Sequence, residues 1–213
     1  MKTDKMIELD PEAYIAKGNG SFVFVAPYDQ GILLKVPVEK RPSRLRRRLT
    51  SYLRPSKRRF GMFREWQTEY DEYIAAIHKT GALPRCLPQL HGFVQTNLGP
   101  AFAVEKITDE NTTDIALTIE NYVKNNDPAT LQPALDKFFE EVQSSRIVFF
   151  DMKLYNLCVV RDASGAPVRV VAIDSIGENT VIKVRRWSRK LYDMWLSKTR
   201  ADFMDRVMKS STG

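Results

Sequence analysis

A chain of 213 residues with 43% hydrophobic and 28% charged residues can bury a sizeable core, which excludes a disordered polypeptide. A net charge of +7 and a pI near 9.4 call for an anionic partner: nucleotide, nucleic acid, phospholipid or phosphorylated glycan. Cys86 and Cys158 are the only cysteines, without metal-ligand spacing, which excludes a disulfide scaffold or zinc module and suits a reducing cytosol.

The first residues, Met1-Lys-Thr-Asp-Lys-Met6, lack the apolar stretch of a signal peptide and no run reaches transmembrane length, so a cytoplasmic protein is expected. Tyr14–Ala16, Ser21–Val25 and Gly31–Val36 are β-prone runs separated by Lys17-Gly-Asn-Gly20 and Pro27-Tyr-Asp-Gln30, which predicts an antiparallel meander. Residues 62–79 predict an amphipathic helix with Phe63, Trp66, Tyr70, Tyr73, Ile74 and Ile77 on one stripe, stopped by Gly81. Two more strands, Leu90–Thr96 and Ala101–Ile107, turn at Asn97-Leu-Gly-Pro100.

From about residue 115 the pattern becomes helical. One helix is expected over Ile115–Lys124, and another from Asp127-Pro128 to about Ser144, burying Leu131, Leu135, Phe138, Phe139 and Val142. Ile147–Phe150 then reads as a strand, and Leu157–Val160 and Val168–Ile173 as a hairpin around Arg161-Asp-Ala-Ser-Gly-Ala-Pro167. A basic, Trp-containing helix closes the sequence from roughly Val184 to Lys209. It combines Arg185, Arg186, Arg189 and Lys190 with Trp187, Leu191 and Trp195, which predicts packing on one face and anion contact on the other.

This order is that of an α+β, minimal bilobal protein kinase-like fold. Residues 1–107 would form an N-lobe with a five-stranded antiparallel sheet plus helix, and 108–213 a reduced helical C-lobe. A nucleotide cleft is expected near residues 105–112, with Glu105 at its edge.

The chemistry concentrates in Asp151-Met-Lys-Leu-Tyr-Asn156 and Asp174-Ser-Ile-Gly177. A hairpin between them would bring Asn156 back beside Asp174, offering hard oxygen ligands of the type Mg²⁺ takes when substrate phosphates complete its shell. Either aspartate alone reads as an ordinary turn carboxylate, since Asp is common at strand ends. The ordered set matches the kinase D-L-K-x-x-N loop and D-F-G segment, with Phe149-Phe150 in place of His-Arg and glycine one residue late. Asp151 would accept or orient the proton of an attacking hydroxyl, Lys153 would steady γ-phosphoryl charge, and Asn156 with Asp174 would hold Mg²⁺.

Upstream, Gly18, Asn19, Gly20 and Ser21 form a truncated glycine-rich loop able to approach ATP phosphates, with Val23 at the third glycine's place. By itself it reads first as a hairpin turn, and its position directly before the Leu-Leu-Lys-Val strand is what gives it weight. Lys35 ends an apolar strand, as the lysine of V-A-I-K does, and would pair with Glu69, with Glu65 one turn earlier as fallback. Its competing role is that of a solvent-facing edge lysine. His78 and His91 read as structural.

Lys40–Arg59 holds ten basic residues and no acidic one. It reads either as a solvated loop or as a docking patch for an anionic substrate or membrane lipid. Nucleic acid is disfavoured because the segment holds a single aromatic residue, Tyr52, on which a base could stack.

On Leu87-Pro-Gln-Leu-His-Gly92, Met152-Lys-Leu-Tyr-Asn-Leu-Cys158 and Ile173-Asp-Ser-Ile-Gly-Glu-Asn-Thr-Val-Ile182, the chain resembles the bacterial PhoP regulatory network protein (YrbL) family. The resemblance runs from the glycine loop to Trp187. It implies a cytoplasmic kinase-like fold and regulation by a two-component system, without a settled substrate. More distantly the pattern is similar to small bacterial kinases acting on lipopolysaccharide core sugars. The stretch after Gly177 is short and holds no Ala-Pro-Glu, so a small-molecule or glycan hydroxyl is expected as acceptor rather than a protein. Two alternatives stand beside this phosphotransferase: a regulatory pseudokinase, and a basic adaptor for anionic membrane or nucleic acid.

Overall fold

The computed structural model describes residues 6–18, 20–38, 59–178 and 188–210. It divides into two compact units, residues 1–67 with 89–106, and residues 68–88 with 107–213.

In the first unit, β1 (Ala16–Lys17), β2 (Ser21–Ala26), β3 (Asp29–Pro37), β4 (Leu90–Thr96) and β5 (Gly99–Glu105) form an antiparallel sheet in the order β1-β2-β3-β5-β4. The period-2 alternation of β3 sets its two faces. Ile32, Leu34 and Val36 enter one core with Leu9, Phe24, Ala26, Ala101 and Ala103. Leu33 faces the other way, against Trp66, Phe102 and Val104. The Asn97 side chain brackets the entering segment, accepting from Leu9 N at 2.8 Å and donating to Leu9 O at 2.9 Å. The first strand starts two residues later than predicted and ends one later, although Ile15 N also bonds Val23 O of β2.

Helix α1 (Arg64–Thr80) follows a 3-10 turn at Gly61–Phe63. Gly81, at φ 76°, ends it with a bond from its N to Ile77 O, as its position predicted. The buried stripe differs from the expected one. Trp66, Glu69, Glu72, Tyr73 and Ala76 are buried, while Tyr70, Ile74 and Ile77 are exposed. Hydrophobicity alone rotated the helix wrongly, because two of its inward residues are glutamates.

In the second unit, β6 (Leu117–Thr118), β7 (Leu157–Arg161) and β8 (Pro167–Ala172) form a three-stranded sheet. The helix expected over 115–124 is cut to α2 (Ile119–Tyr122), because Leu117 and Thr118 pair with β7; Thr118 Oγ1 then caps α2 through Asn121 N at 3.2 Å. Asp127 caps a 3-10 turn at Pro128–Leu131, and α3 (Gln132–Ser145) continues from it, burying Leu135, Phe138, Phe139 and Val142 as expected. The expected strand 147–150 reduces to a bridge between Phe149 and Ile176.

The closing helix is α4 (Arg189–Lys209), N-capped by Ser188; residues 184–187 of its expected start lie outside the described residues. It buries Tyr192, Leu196, Phe203 and Val207, and leaves Leu191 exposed, one residue out of phase with the expected packing face. The Tyr192 hydroxyl, with one hydrogen to donate, lies 2.7 Å from Val142 O and 3.0 Å from Ile147 O, tying α4 to the end of α3 at left-handed Arg146. Among the described residues no helix is long and apolar enough to cross a membrane.

Both cysteines are buried and free. Burial, then Asp109, pushes the Cys158 thiol up to about 12; burial, then Glu141, pushes Cys86 higher still. An unfolded thiol titrates near ~8.5, so between there and the folded value only the unfolded state gives up its proton. The stability contributed is therefore present below ~8.5 and lost as pH climbs towards about 12, at a limit of ~1.4 kcal/mol per pH unit per thiol. Urea midpoints are expected to fall from pH 8 to 10.5, and Cys158→Ala should flatten that slope. An unchanged slope would mean that Cys158 takes no part in the alkaline loss.

Candidate active site

Within the second unit, the 151–156 loop is closed at both ends by backbone pairing. Phe150 N bonds Ser175 O at 2.8 Å and Gly177 N bonds Val148 O at 2.7 Å, which sets the approach to Asp151 beside the segment 174–177. At the far end Ile173 N bonds Asn156 O at 2.9 Å, and Leu157 pairs with Ala172. The hairpin thus returns Asn156 to the Asp174 segment, as its length predicts.

Asn156 is 5% exposed and spends both amide hydrogens, on Asp151 O at 3.1 Å and on Ser175 Oγ at 3.0 Å. Its Oδ1 is left without a hydrogen bond among the described residues. Asp174 is exposed; its Oδ1 accepts from Ser175 N at 2.6 Å, and no bond to its Oδ2 exists among the described residues. Each residue therefore keeps one hard oxygen, the donor type that a Mg²⁺ ion carrying phosphates takes. No group of three or more His, Cys, Asp or Glu suited to a metal occurs among the described residues. A cation here would accordingly depend on ligand oxygens and water as well.

Lys153 Nζ lies 2.9 Å from Asp151 Oδ2. Hydrogen bonds to Tyr155 and then to Asp151 raise the ammonium above its ordinary value, so it stays charged through the physiological range. The same Nζ lies over the Tyr155 ring, 5.5 Å from the centroid. Both ends of the ion pair are partly exposed, so the pair contributes little to stability and remains open to solutes.

Four residues of this unit were not found by sequence reasoning. Ser175, at φ 62°, receives the Asn156 amide; Tyr155 holds Lys153; Arg206 of α4 donates from Nη2 to Met152 O at 2.8 Å; Glu72 Oε2 accepts from Val148 N at 3.0 Å. Tyr155, two residues from the lysine, and Ser175, next to Asp174, carried a local signal. The others act on the loop and its approach from distant positions.

In the first unit, Lys35 shares the Leu33 face of β3, pairs across the sheet with Val23 and Phe102, and is half-buried. Gly18 N closes the glycine turn on Ser21 O at 2.9 Å, while Asn19 lies outside the described residues. A Cβ on Gly20 would lie 2.9 Å from Glu65 Oε2, so Glu65 rests against the glycine turn. Glu105 Oε2 accepts from Gln89 N at 2.8 Å, tying the β4 entrance to β5. Glu69, in the second unit, is buried on α1. Residues 40–58 of the basic segment lie outside the described residues.

Residues 7–208 match the family model described as "PhoP regulatory network protein YrbL". The chain belongs to this family. Among curated relatives it is similar to "Uncharacterized protein YrbL" of Escherichia coli (strain K12) and to the protein of the same description in Shigella flexneri. Each is 31% identical over 106 residues, covering 48% of this chain and 50% of the relative. The chain thus spans about half the length of the curated relatives it matches.

Proposed function

We propose that this protein is a Mg²⁺-dependent, ATP-using phosphotransferase of protein kinase-like fold, acting on a small-molecule or glycan hydroxyl. The observation that carries the reading is the closed 151–156 loop, in which Asn156 Nδ2 joins Asp151 O to Ser175 Oγ and leaves Oδ1 beside the Asp174 segment. In this role Asp151 accepts the proton of the acceptor hydroxyl, with Lys153 as a permanent positive charge 2.9 Å away. Asn156 Oδ1 and Asp174 Oδ2 hold the cation, and bound Mg-ATP supplies the phosphoryl group. Within the first unit, Gly18, Gly20, Ser21 and Lys35 are a separate candidate for phosphate contact. The family's description links it to PhoP-type regulation, which fits a kinase whose abundance a two-component system controls.

Calorimetric titration of the protein with ATP and GTP, with and without Mg²⁺, tests the reading. Binding that strengthens with Mg²⁺ is expected. No heat with either nucleotide at millimolar concentration would remove the proposal.

A second reading, a pseudokinase-like regulatory module, is favoured by Glu65. A carboxylate against Gly20 opposes phosphate approach at the glycine turn. On this reading Glu65→Gln raises nucleotide affinity about three- to tenfold, and the wild-type protein shows no ATP hydrolysis. Slow hydrolysis by the wild type that disappears in Asp151→Asn would rule it out.

A further inference from the structure

A second site of the same unit lies away from Asp151 and Asp174. Helix α3, strand β8 and the 85–86 segment line an open pocket of about 70 Å³, whose walls carry Arg85, Lys137, Arg169, Glu141, Cys86 and Phe138. None of Asp151, Lys153, Asn156 or Asp174 lines it. That space is below the size of whole-ligand sites and suits one phosphoryl group, the rest of a ligand lying in the open mouth.

Arg85, Lys137 and Arg169 make no ion pair or hydrogen bond among the described residues, although Glu141 lines the same pocket. Glu141 is engaged elsewhere: it accepts from Cys86 N at 2.7 Å and from the Cys86 thiol. Burial keeps that thiol protonated, so it serves as a donor. A carboxylate has about four acceptor positions, so two remain for a ligand. Three cations against one carboxylate leave a net charge of +2 around a partly apolar hollow. That balance matches a phosphate dianion better than a carboxylate, and the remaining acceptors of Glu141 match hydroxyl donors.

We propose that the pocket of Arg85, Lys137, Arg169 and Glu141 binds a phosphate monoester of a hydroxyl-bearing compound, the guanidinium and ammonium groups taking the phosphate and Glu141 a hydroxyl. The site is independent of nucleotide.

The test is calorimetry on the full chain without nucleotide, using glucose 6-phosphate, glycerol 3-phosphate, inorganic phosphate and glucose. At least one ester is expected to bind more tightly than inorganic phosphate, and glucose not at all. Arg85→Gln and Arg169→Gln should each weaken ester binding about tenfold. Both side chains lack partners among the described residues, so the fold should survive these changes. Asp174→Asn should leave ester binding unchanged, which separates this site from the nucleotide reading. Phosphate binding as tightly as both esters would overturn the hydroxyl contact. No heat from any phosphate, or binding indifferent to both arginine variants, would overturn the site.

Discussion

Asp151→Asn is expected to leave Mg²⁺-dependent ATP binding intact and to lower phosphoryl transfer or ATP hydrolysis by about 10²–10⁴-fold, the usual worth of a positioned proton acceptor. Asp174→Asn is expected to do the reverse at the binding step, abolishing the gain in affinity that Mg²⁺ gives. Both replacements are isosteric and fall on side chains that do little for the fold. The first loses one partly exposed ion pair with Lys153, and the second keeps an amide oxygen for the Ser175 N–H. Equal urea midpoints for the two variants and the wild type would establish that comparison. If both variants then lose binding equally, these carboxylates only shape the loop, and the proposal fails on its central residues.

The Glu65 carboxylate beside Gly20 makes the wild-type affinity informative as well. Weak nucleotide binding that improves in Glu65→Gln, with hydrolysis still measurable, supports an enzyme restrained at its glycine turn. Improved binding without hydrolysis supports the regulatory module. The two readings share every residue of the Asp151 loop and part only at turnover.

The elements legible in the sequence were those whose cause is local. Turn chemistry at Pro27–Gln30 and Asn97–Pro100 marked the two hairpins of the five-stranded sheet, and Gly81 marked the end of α1. The 3.6-residue apolar period of α3 predicted its buried face residue by residue. The period failed on α1, where Glu69 and Glu72 point inward and Ile74 and Ile77 outward. An apolar count cannot foresee a buried carboxylate whose partner, such as Val148 N, lies 76 residues away. The helix expected over 115–124 was lost in the same way, to a strand pairing with β7. At the candidate site, sequence supplied Asp151, Lys153, Asn156 and Asp174 because hairpin length relates them. It could not supply Arg206, which reaches Met152 O from the last helix.

Gly177→Ala should give the largest loss of stability of any single methyl addition near the site. Gly177 has φ 108°, a left-handed conformation that side chains rarely adopt. A Cβ there would lie 3.1 Å from Thr68 O and closer still to Thr68 Cγ2. Backbone strain of ~1–2 kcal/mol and overpacking of ~1–3 kcal/mol together give a cost of ~2–5 kcal/mol. Relief by movement is restricted, because Gly177 N is bonded to Val148 O and the chain two residues earlier is held by Phe150 N on Ser175 O. Shifting either bond would move Ser175 away from the Asn156 amide, so Gly177→Ala should also weaken Mg²⁺-dependent nucleotide binding. Thr68→Ser, which removes the methyl but keeps the backbone oxygen, should recover part of the stability in the double variant and none of the φ strain. Denaturant titration of the four proteins measures the coupling. A neutral Gly177→Ala would show that the 174–177 segment does not lie against Thr68.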